Sequence, residues 1–108
     1  GAPFCAVALM SAKNVTISGA VQEYLKVADS GNERVQGFCG NCGSQIFAAD
    51  PQKTLFMVCT GFLSQHDRLV PAKHIFGKSA AAWLGSIDHQ QWVTDGPASA
   101  EMQPPTQK

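Results

Sequence analysis

The sequence has few charged residues and no excess of either sign. Asp, Glu, Lys and Arg make up 15% of its 108 residues, against roughly 25% in a typical soluble domain. Eight basic residues balance eight acidic ones, so the formal net charge at pH 7 is zero. Proteins that bind nucleic acid through its phosphates carry a clear positive excess. The composition therefore argues against a nucleic-acid partner.

Long apolar runs are missing as well. No stretch approaches the roughly 20 residues that a membrane-spanning helix needs, and no basic start followed by an apolar segment indicates a secretory signal. Four cysteines in a chain of this length are too few for a disulfide-dense secreted scaffold. We therefore expect no membrane partner and a reducing, cytoplasmic setting.

Helical periodicity is also scarce, and short apolar segments separated by turn residues take its place. Residues 14–18 alternate apolar and polar side chains, which is typical of a half-buried strand, whereas 55–60 is apolar on both faces, as in a central strand. The pattern predicts an all-β domain over residues 1–96, followed by a C-terminal tail at 97–108. The strands are predicted at 4–9, 14–18, 23–28, 34–38, 45–49, 55–60 and 72–77, with a turn after 28, a helical turn at 64–69 and a short helix or turn at 79–84.

Two of the four cysteines stand close together, with glycines around them. The stretch GFCGNCGSQIF, residues 37–47, separates Cys39 from Cys42 by two residues. This spacing lets one tight loop supply two adjacent corners of a tetrahedral zinc site. Gly40 and Gly43 suit such a loop because glycine tolerates positive φ and leaves room for backbone amides to face the sulfurs. Cys39 and Cys42 are thus predicted as half of a zinc site.

Two other interpretations of the pair remain open. A thioredoxin-type redox pair has the same spacing, but it stands at the start of a helix, and no helical pattern follows Cys42. Alternatively, the pair consists of two ordinary thiols in a glycine-rich turn, since a closed structural site needs four ligands.

The sequence offers no obvious second pair of ligands. Cys5 shares a predicted strand face with Val7, and Cys59 shares one with Met57, so core packing as small hydrophobes is the expectation for both. The three histidines are scattered, without the spacing of paired metal ligands. They are His66, His74 and His89.

Four short segments, taken in order, resemble a known family. GAPF at 1–4, GFCGNCGSQIF at 37–47, VCTGFL at 58–63 and PAKHIFGKSAAAWL at 71–84 are similar to the glutathione-dependent formaldehyde-activating (GFA) enzymes and their centromere protein V relatives. The resemblance covers most of residues 1–95. It implies a β-tent, an all-β fold of short antiparallel strands with long loops.

The resemblance also implies a chemistry. Family members join formaldehyde to glutathione, giving S-hydroxymethylglutathione, in a zinc-dependent reaction of the carbon–sulfur lyase class. Glutathione or a similar small thiol is the implied partner and zinc the implied cofactor. A CxC pair upstream of GAPF completes a structural zinc site with the later CxxC, here Cys39 and Cys42, while further upstream cysteines hold a catalytic zinc. His74 matches a family histidine and is predicted either to line the pocket or to stabilise the sheet by a hydrogen bond.

This sequence departs from the family pattern at its start. The GAPF-like segment begins at Gly1, so no counterpart of the upstream cysteines is present, and no residue here is assigned a catalytic role. Two functions follow as hypotheses: a GFA-type lyase, either active or degenerate, and a non-catalytic β-tent module that self-associates or binds a partner, with or without structural zinc. A further hypothesis is a homodimer that brings two CxxC pairs around one zinc.

Overall fold

A computed structural model describes residues 2–106 of the chain, which divide into two compact units. One unit is Cys5–His74, and the other joins the segment that ends at Phe4 to the residues from Ile75 onward. Gly1 of the GAPF segment and residues 107–108 of the predicted tail lie outside the described part. The boundary at 96/97 between domain and tail stays a prediction.

A five-stranded antiparallel sheet forms the Cys5–His74 unit, which confirms the all-β prediction. The four strands from β2 to β5 follow one another as a meander, and β1 pairs with β5, so the order across the sheet is β1-β5-β4-β3-β2. β5 is therefore an inner strand, as its two apolar faces indicate. The strands are β1 (Val7–Ser11), β2 (Val21–Val27), β3 (Glu33–Cys39), β4 (Gln45–Ala49) and β5 (Leu55–Cys59).

Two of the turns in this meander carry recognisable local chemistry. Between β2 and β3 the amide of Ala28 donates to the carbonyl of Asn32 over 2.8 Å, and Gly31 has a φ of +87°. Between β4 and β5 the carboxylate of Asp50 accepts hydrogen bonds from the amides of Thr54 and Leu55, at 2.8 and 2.9 Å. The first turn falls where the sequence predicts one, after residue 28, and the second lies between the strands predicted at 45–49 and 55–60.

The predicted strand at 14–18 is wrong. Residues Ala12–Asn14 form a 3₁₀ helix, and 15–18 run without strand pairing. The reason lies in the topology: β1 and β2 stand at opposite edges, so the chain between them must cross about 19 Å of sheet, four strand spacings, rather than join it. A segment that crosses the face of a sheet cannot share its hydrogen bonds. Val15 packs against the core of the sheet, whereas Ile17 is 40% exposed, so the alternation of this segment does not reflect strand pairing.

The core lies on one face of the sheet, around two aromatic rings. Phe47 and Phe56 meet edge to face with their centroids 4.9 Å apart. The ring of Phe47 lies directly over Gly37 on β3, where a Cβ atom would stand 2.2 Å from the ring. Glycine at this position is thus a packing requirement. The buried hydrophobic residues are Val35, Phe47, Ala49, Phe56 and Val58.

The other face of β1 and β5 leaves apolar side chains in solvent. Leu9 is 69% exposed, and Leu55 is 50% exposed on the neighbouring strand. Leu9 pairs with Met57 and Val7 with Cys59, so these side chains share one face of the sheet. An exposed apolar face of this kind is a surface that another protein surface could cover.

The second unit has little regular structure. A 3₁₀ helix at Gly77–Ser79 is followed by 3₁₀ turns at Ala82–His89 and by a two-stranded ribbon of β6 (Trp92–Val93) and β7 (Glu101–Met102). The predicted strand at 72–77 is wrong, because Phe76 has a φ of +56°, which no strand tolerates. Within residues 2–106, no helix is both long and apolar enough to cross a membrane.

Candidate functional site

The predicted zinc pair lies in the turn between β3 and β4. β3 ends at Cys39, whose amide donates to the carbonyl of Ser44 over 2.9 Å and whose carbonyl accepts from the amide of Gly43 over 2.8 Å. These two bonds close the loop around Cys42. A third bond, from the amide of Gly40 to the carbonyl of Ala20 over 2.8 Å, ties the loop to the chain before β2. The CxxC turn is therefore a closed structure that both neighbouring segments support.

Its two glycines serve different purposes. Gly43 has a φ of +79°, a conformation that costs other residues about 1–2 kcal/mol. Gly40 has no such φ, but a Cβ there would stand 3.1 Å from the side chain of Gln22 on β2. The predicted positive φ thus applies to Gly43. The role of Gly40 differs from the predicted one, because the space it leaves open is next to Gln22 and its amide donates to the carbonyl of Ala20.

Hydrogen bonds favour the thiolate form of Cys42. Its Sγ lies 3.2 Å from the hydroxyl oxygen of Ser44. The Ser44 hydroxyl, then the Ser44 amide, and then the Cys39 side chain lower the pKa of Cys42 below its ordinary value. Donors that face a sulfur stabilise its thiolate, which is the form that binds metal. The arrangement suits one of two adjacent thiolate ligands.

Zinc fits this turn only as a partial site. A closed structural site needs four ligands, and the turn offers two, Cys39 and Cys42. Among the described residues no group of three or more His, Cys, Asp or Glu side chains is placed to hold a metal ion. The chain thus supplies half of a structural site, and the residues at hand do not fit a catalytic zinc.

The other two cysteines form a pair that the sequence analysis missed. Cys5 and Cys59, expected as separate core residues, have their Sγ atoms 3.9 Å apart. Cys5 is exposed and Cys59 is half-buried, so core packing is wrong for Cys5. Burial, and then the charge of Cys5, raises the pKa of Cys59 to about 11. The sequence shows that Cys5 shares a strand face with Val7, but this predicts a contact between Cys5 and Cys59 only when Val7 is known to pair with Cys59.

A cavity of about 400 Å³ lies where the crossing segment covers the core face. Its volume is in the range of small-molecule sites. Polar groups come from Asn14, Thr16 and Ser18, and no side chain in the lining carries a charge. The apolar lining is Met10, Val15, Ile17, Val21, Ile46, Phe47, Val58, Phe62 and Leu63.

His74 takes neither of its predicted roles in the described structure. It is exposed, and it does not belong to the lining of this cavity. The backbone around it forms neither helix nor strand.

Comparison with known proteins agrees with the resemblance read from the four segments. The sequence model of the family described as "GFA: Glutathione-dependent formaldehyde-activating enzyme" matches residues 1–79. No curated protein and no solved structure matches the chain. The family match takes in the CxxC turn and all five strands of the sheet. The chain therefore belongs to the glutathione-dependent formaldehyde-activating family.

Proposed function

We propose that this chain is a domain of the GFA type that acts on the adduct of a small thiol, glutathione, with formaldehyde, as a zinc-dependent carbon–sulfur lyase. The family match over residues 1–79 carries this proposal. The reaction joins the thiol sulfur to the carbonyl carbon, and the thiol proton passes to the carbonyl oxygen. In a family member with a complete site zinc would supply Lewis-acid chemistry, but the residues described here would hold only part of a structural ion's ligand set.

Within this proposal, Cys39 and Cys42 are ligands of a structural zinc. Gly43 and Ser44 hold the two thiols in one closed turn, and Ser44 favours the thiolate of Cys42. The remaining ligands come from outside the described residues, either from further residues of a longer protein or from a second copy of the chain. The turn's own part is to bind the ion and fix the end of the β3–β4 hairpin.

The cavity on the core face supports the binding of a small molecule, but its lining offers no partner for charged groups. Its size suits the apolar and neutral parts of a small adduct, and Asn14, Thr16 and Ser18 offer hydrogen bonds. Glutathione carries two carboxylates and an amino group, and the lining offers them no charged partner. A glutathione adduct in this cavity would keep its charged ends in solvent.

Exchange spectroscopy tests the lyase proposal directly. Formaldehyde and glutathione interconvert with their adduct without a catalyst, and NMR measures this exchange at equilibrium. We expect the protein to accelerate exchange in proportion to its concentration, whereas Cys42→Ser, which removes a ligand of the structural zinc only, should lower the rate no further than it lowers the amount of folded protein. An exchange rate equal to that of a buffer with the same zinc concentration would overturn the lyase proposal.

A second candidate is the non-catalytic module that self-associates. The exposed apolar face of β1 and β5, with Leu9 and Leu55, favours it, because a second copy could cover that face. Zinc content and molar mass test it together. Half a zinc per chain in a dimer would indicate two CxxC pairs around one ion, and one zinc per chain in a monomer would exclude that shared site. A monomer at micromolar concentration, whatever its zinc content, would exclude self-association.

A further inference from the structure

We infer that Cys5 and Cys59 form a dithiol site for low-molecular-weight disulfides, in which Cys5 takes up the mixed disulfide and Cys59 closes it into a reversible protein disulfide. The inference goes beyond the proposed function, because it concerns neither the CxxC turn nor the cavity. Three observations support it. The two thiols are close together, Cys5 is more exposed than Cys59, and the backbone of Cys59 is held in a strand whereas that of Cys5 is not.

The two thiols are close although 54 residues separate them. Their sulfurs stand 3.9 Å apart, and a disulfide bond needs about 2.05 Å, so closure requires a movement of about 2 Å. Cys59 belongs to β5, which pairs on both sides, with β1 and with β4. Cys5 precedes the first residue of β1, Val7, and lies outside any strand. The movement therefore falls to Cys5.

Thr60 limits how far that movement must go. Its amide donates to the carbonyl of Ala6 over 3.0 Å, and its hydroxyl donates to the same oxygen over 3.3 Å. Thr60 itself is 6% exposed, so its contact with Ala6 is largely shielded from water. It joins the residue after Cys5 to the residue after Cys59. The anchor keeps the two thiols near each other whichever rotamers they adopt.

Exposure decides which thiol reacts first. Cys5 is exposed, so a small disulfide in solution can reach it, whereas Cys59 is half-buried beside β1 and β4. Burial also raises the pKa of Cys59, and the charge of Cys5 raises it further. Cys5 is therefore the thiol that takes up the small disulfide, and Cys59 is the thiol that closes the bond.

The chemistry balances without any further reactant. The thiolate of Cys5 attacks one sulfur of the small disulfide, the S–S bond breaks, and one small thiolate leaves and takes up a proton. The thiolate of Cys59 then attacks the Cys5 sulfur, and the second small thiolate leaves with a proton. The protein loses two electrons and two protons, and the small disulfide is reduced to two thiols.

A metal site is the competing interpretation of the same distance. Sulfur atoms on a tetrahedral zinc stand about 3.8 Å apart, since each Zn–S bond is about 2.3 Å. Two thiols alone do not close such a site, and no third His, Cys, Asp or Glu ligand groups with this pair among the described residues. The dithiol therefore favours disulfide chemistry over metal binding.

Glutathione disulfide is the probe for the test. The reduced full chain is incubated with an excess of it, quenched with acid, and analysed by intact mass and peptide mapping. We expect the wild type to lose two hydrogens and to yield one joined peptide containing Cys5 and Cys59. Reduced glutathione should reopen the bond, because a disulfide near the surface is readily reduced.

Single variants separate the two roles. Cys59→Ser should accumulate one glutathione on Cys5 and stop there, whereas Cys5→Ser should leave Cys59 at least tenfold slower to react than Cys5 is in the wild type. Thr60→Val should slow ring closure roughly 2-fold to 10-fold, as the loss of one hydrogen bond predicts, while the exposed Thr94→Val should not. Far-UV circular dichroism checks that each variant is folded, and Cys59→Ala replaces Cys59→Ser if the latter is not.

Three results would overturn the inference. One is a wild type that stops at the mixed disulfide on Cys5. Another is a disulfide confined to Cys39 and Cys42. The third is protection of Cys5 by one equivalent of zinc that a chelator reverses, which would assign the pair to a metal.

Discussion

The two cysteine pairs of this chain stand at the same end of one sheet, but they are assembled in different ways. Cys39 and Cys42 belong to one turn, which β3 and β4 close on themselves. Cys5 and Cys59 meet only because β1 pairs with β5. Since β4 lies between β5 and β3, the pairs are separated by about 10 Å or more. Local sequence makes the first pair, and the topology of the sheet makes the second.

The difference shows in the electrostatics of the thiols. In the turn, the hydroxyl and the amide of Ser44 lower the pKa of Cys42. In the cross-strand pair, burial and a neighbouring thiol raise the pKa of Cys59 to about 11. A thiol that ionises readily suits metal binding, whereas a thiol with a raised pKa holds little thiolate at neutral pH and reacts slowly with reagents in solution. We therefore expect the pairs to respond to different reagents.

The largest expected effect comes from breaking the packing beneath the turn. Gly37→Ala would place a methyl group 2.2 Å from the Phe47 ring and force that ring to move. Overpacking of this kind costs about 1–3 kcal/mol of the free energy of unfolding. Urea denaturation measures it, with Gly61→Ala as the control, because a Cβ at Gly61 meets nothing within 4 Å. Equal stability of the two variants would contradict the packing requirement at Gly37.

The next effect is a difference in alkylation rate between Cys42 and Cys59. A pKa raised from 9.0 to about 11 lowers the Cys59 thiolate at pH 7 roughly 100-fold, and the greater nucleophilicity of a more basic thiolate recovers roughly 10-fold. Cys42 should therefore react with iodoacetamide at least about tenfold faster at this pH. Peptide mass spectrometry against time measures both rates.

The pH dependence of those rates sharpens the comparison. The Cys59 rate should keep rising toward pH 11, whereas the Cys42 rate should level off below the ordinary thiol range. Cys5→Ser should bring the midpoint for Cys59 down only in part, because burial is the larger cause of the shift. Two superimposable profiles for Cys42 and Cys59 would refute the electrostatic difference.

A smaller effect is expected from the backbone of the turn. Gly43→Ala introduces a side chain at a φ of +79°, which should cost about 1–2 kcal/mol of stability and weaken zinc binding at Cys39 and Cys42. Thermal denaturation and zinc titration measure the two consequences. The cross-strand pair should still close with glutathione disulfide at the wild-type rate. A slower closure would show that the pairs are coupled.

The smallest effect concerns the opposite end of the sheet, at Asp50. The amide of Leu55, then the hydroxyl of Thr54, lower the pKa of this carboxyl from 3.8. A lowered folded-state pKa gives stability that is fully present above the unfolded value and is lost as the pH falls through the folded value. Asp50→Asn should therefore be less stable than wild type at pH 7, and the difference should shrink below pH 4. Acid titration followed by circular dichroism tests this, and alkylation of both cysteine pairs should not change.

Local signals in the sequence predicted much of the sheet. Apolar patterns and turn residues predict all five of its strands within a few residues, and the two apolar faces of β5 indicate that it is an inner strand. The turn at Cys39 and Cys42 was likewise evident, because its spacing and its glycines are neighbours in the chain. Interactions between residues that are close together in the chain leave a pattern that the sequence shows.

Features that depend on register and topology left no such pattern. Residues 14–18 alternate as a strand does, but they cross between the two edges of the sheet. Cys5 and Cys59 could be paired only with the register of Val7 to Cys59, which no local rule supplies. The left-handed conformation of Phe76 could not be predicted either, because no neighbouring residue indicates a positive φ at this position.

The pairing of β1 with β5 also has a consequence for the order of folding. β2, β3, β4 and β5 are joined by short turns, so each can add to the previous strand at a small loss of chain entropy, whereas β1 must wait until β5 exists. We expect β1 to dock last and to open first in the native protein. Its amides, those of Val7–Ser11, should then exchange with deuterium sooner than those of Gln45–Ala49. Because Cys5 precedes β1, the cross-strand thiols should part with each such opening, whereas the thiols of the turn stay together.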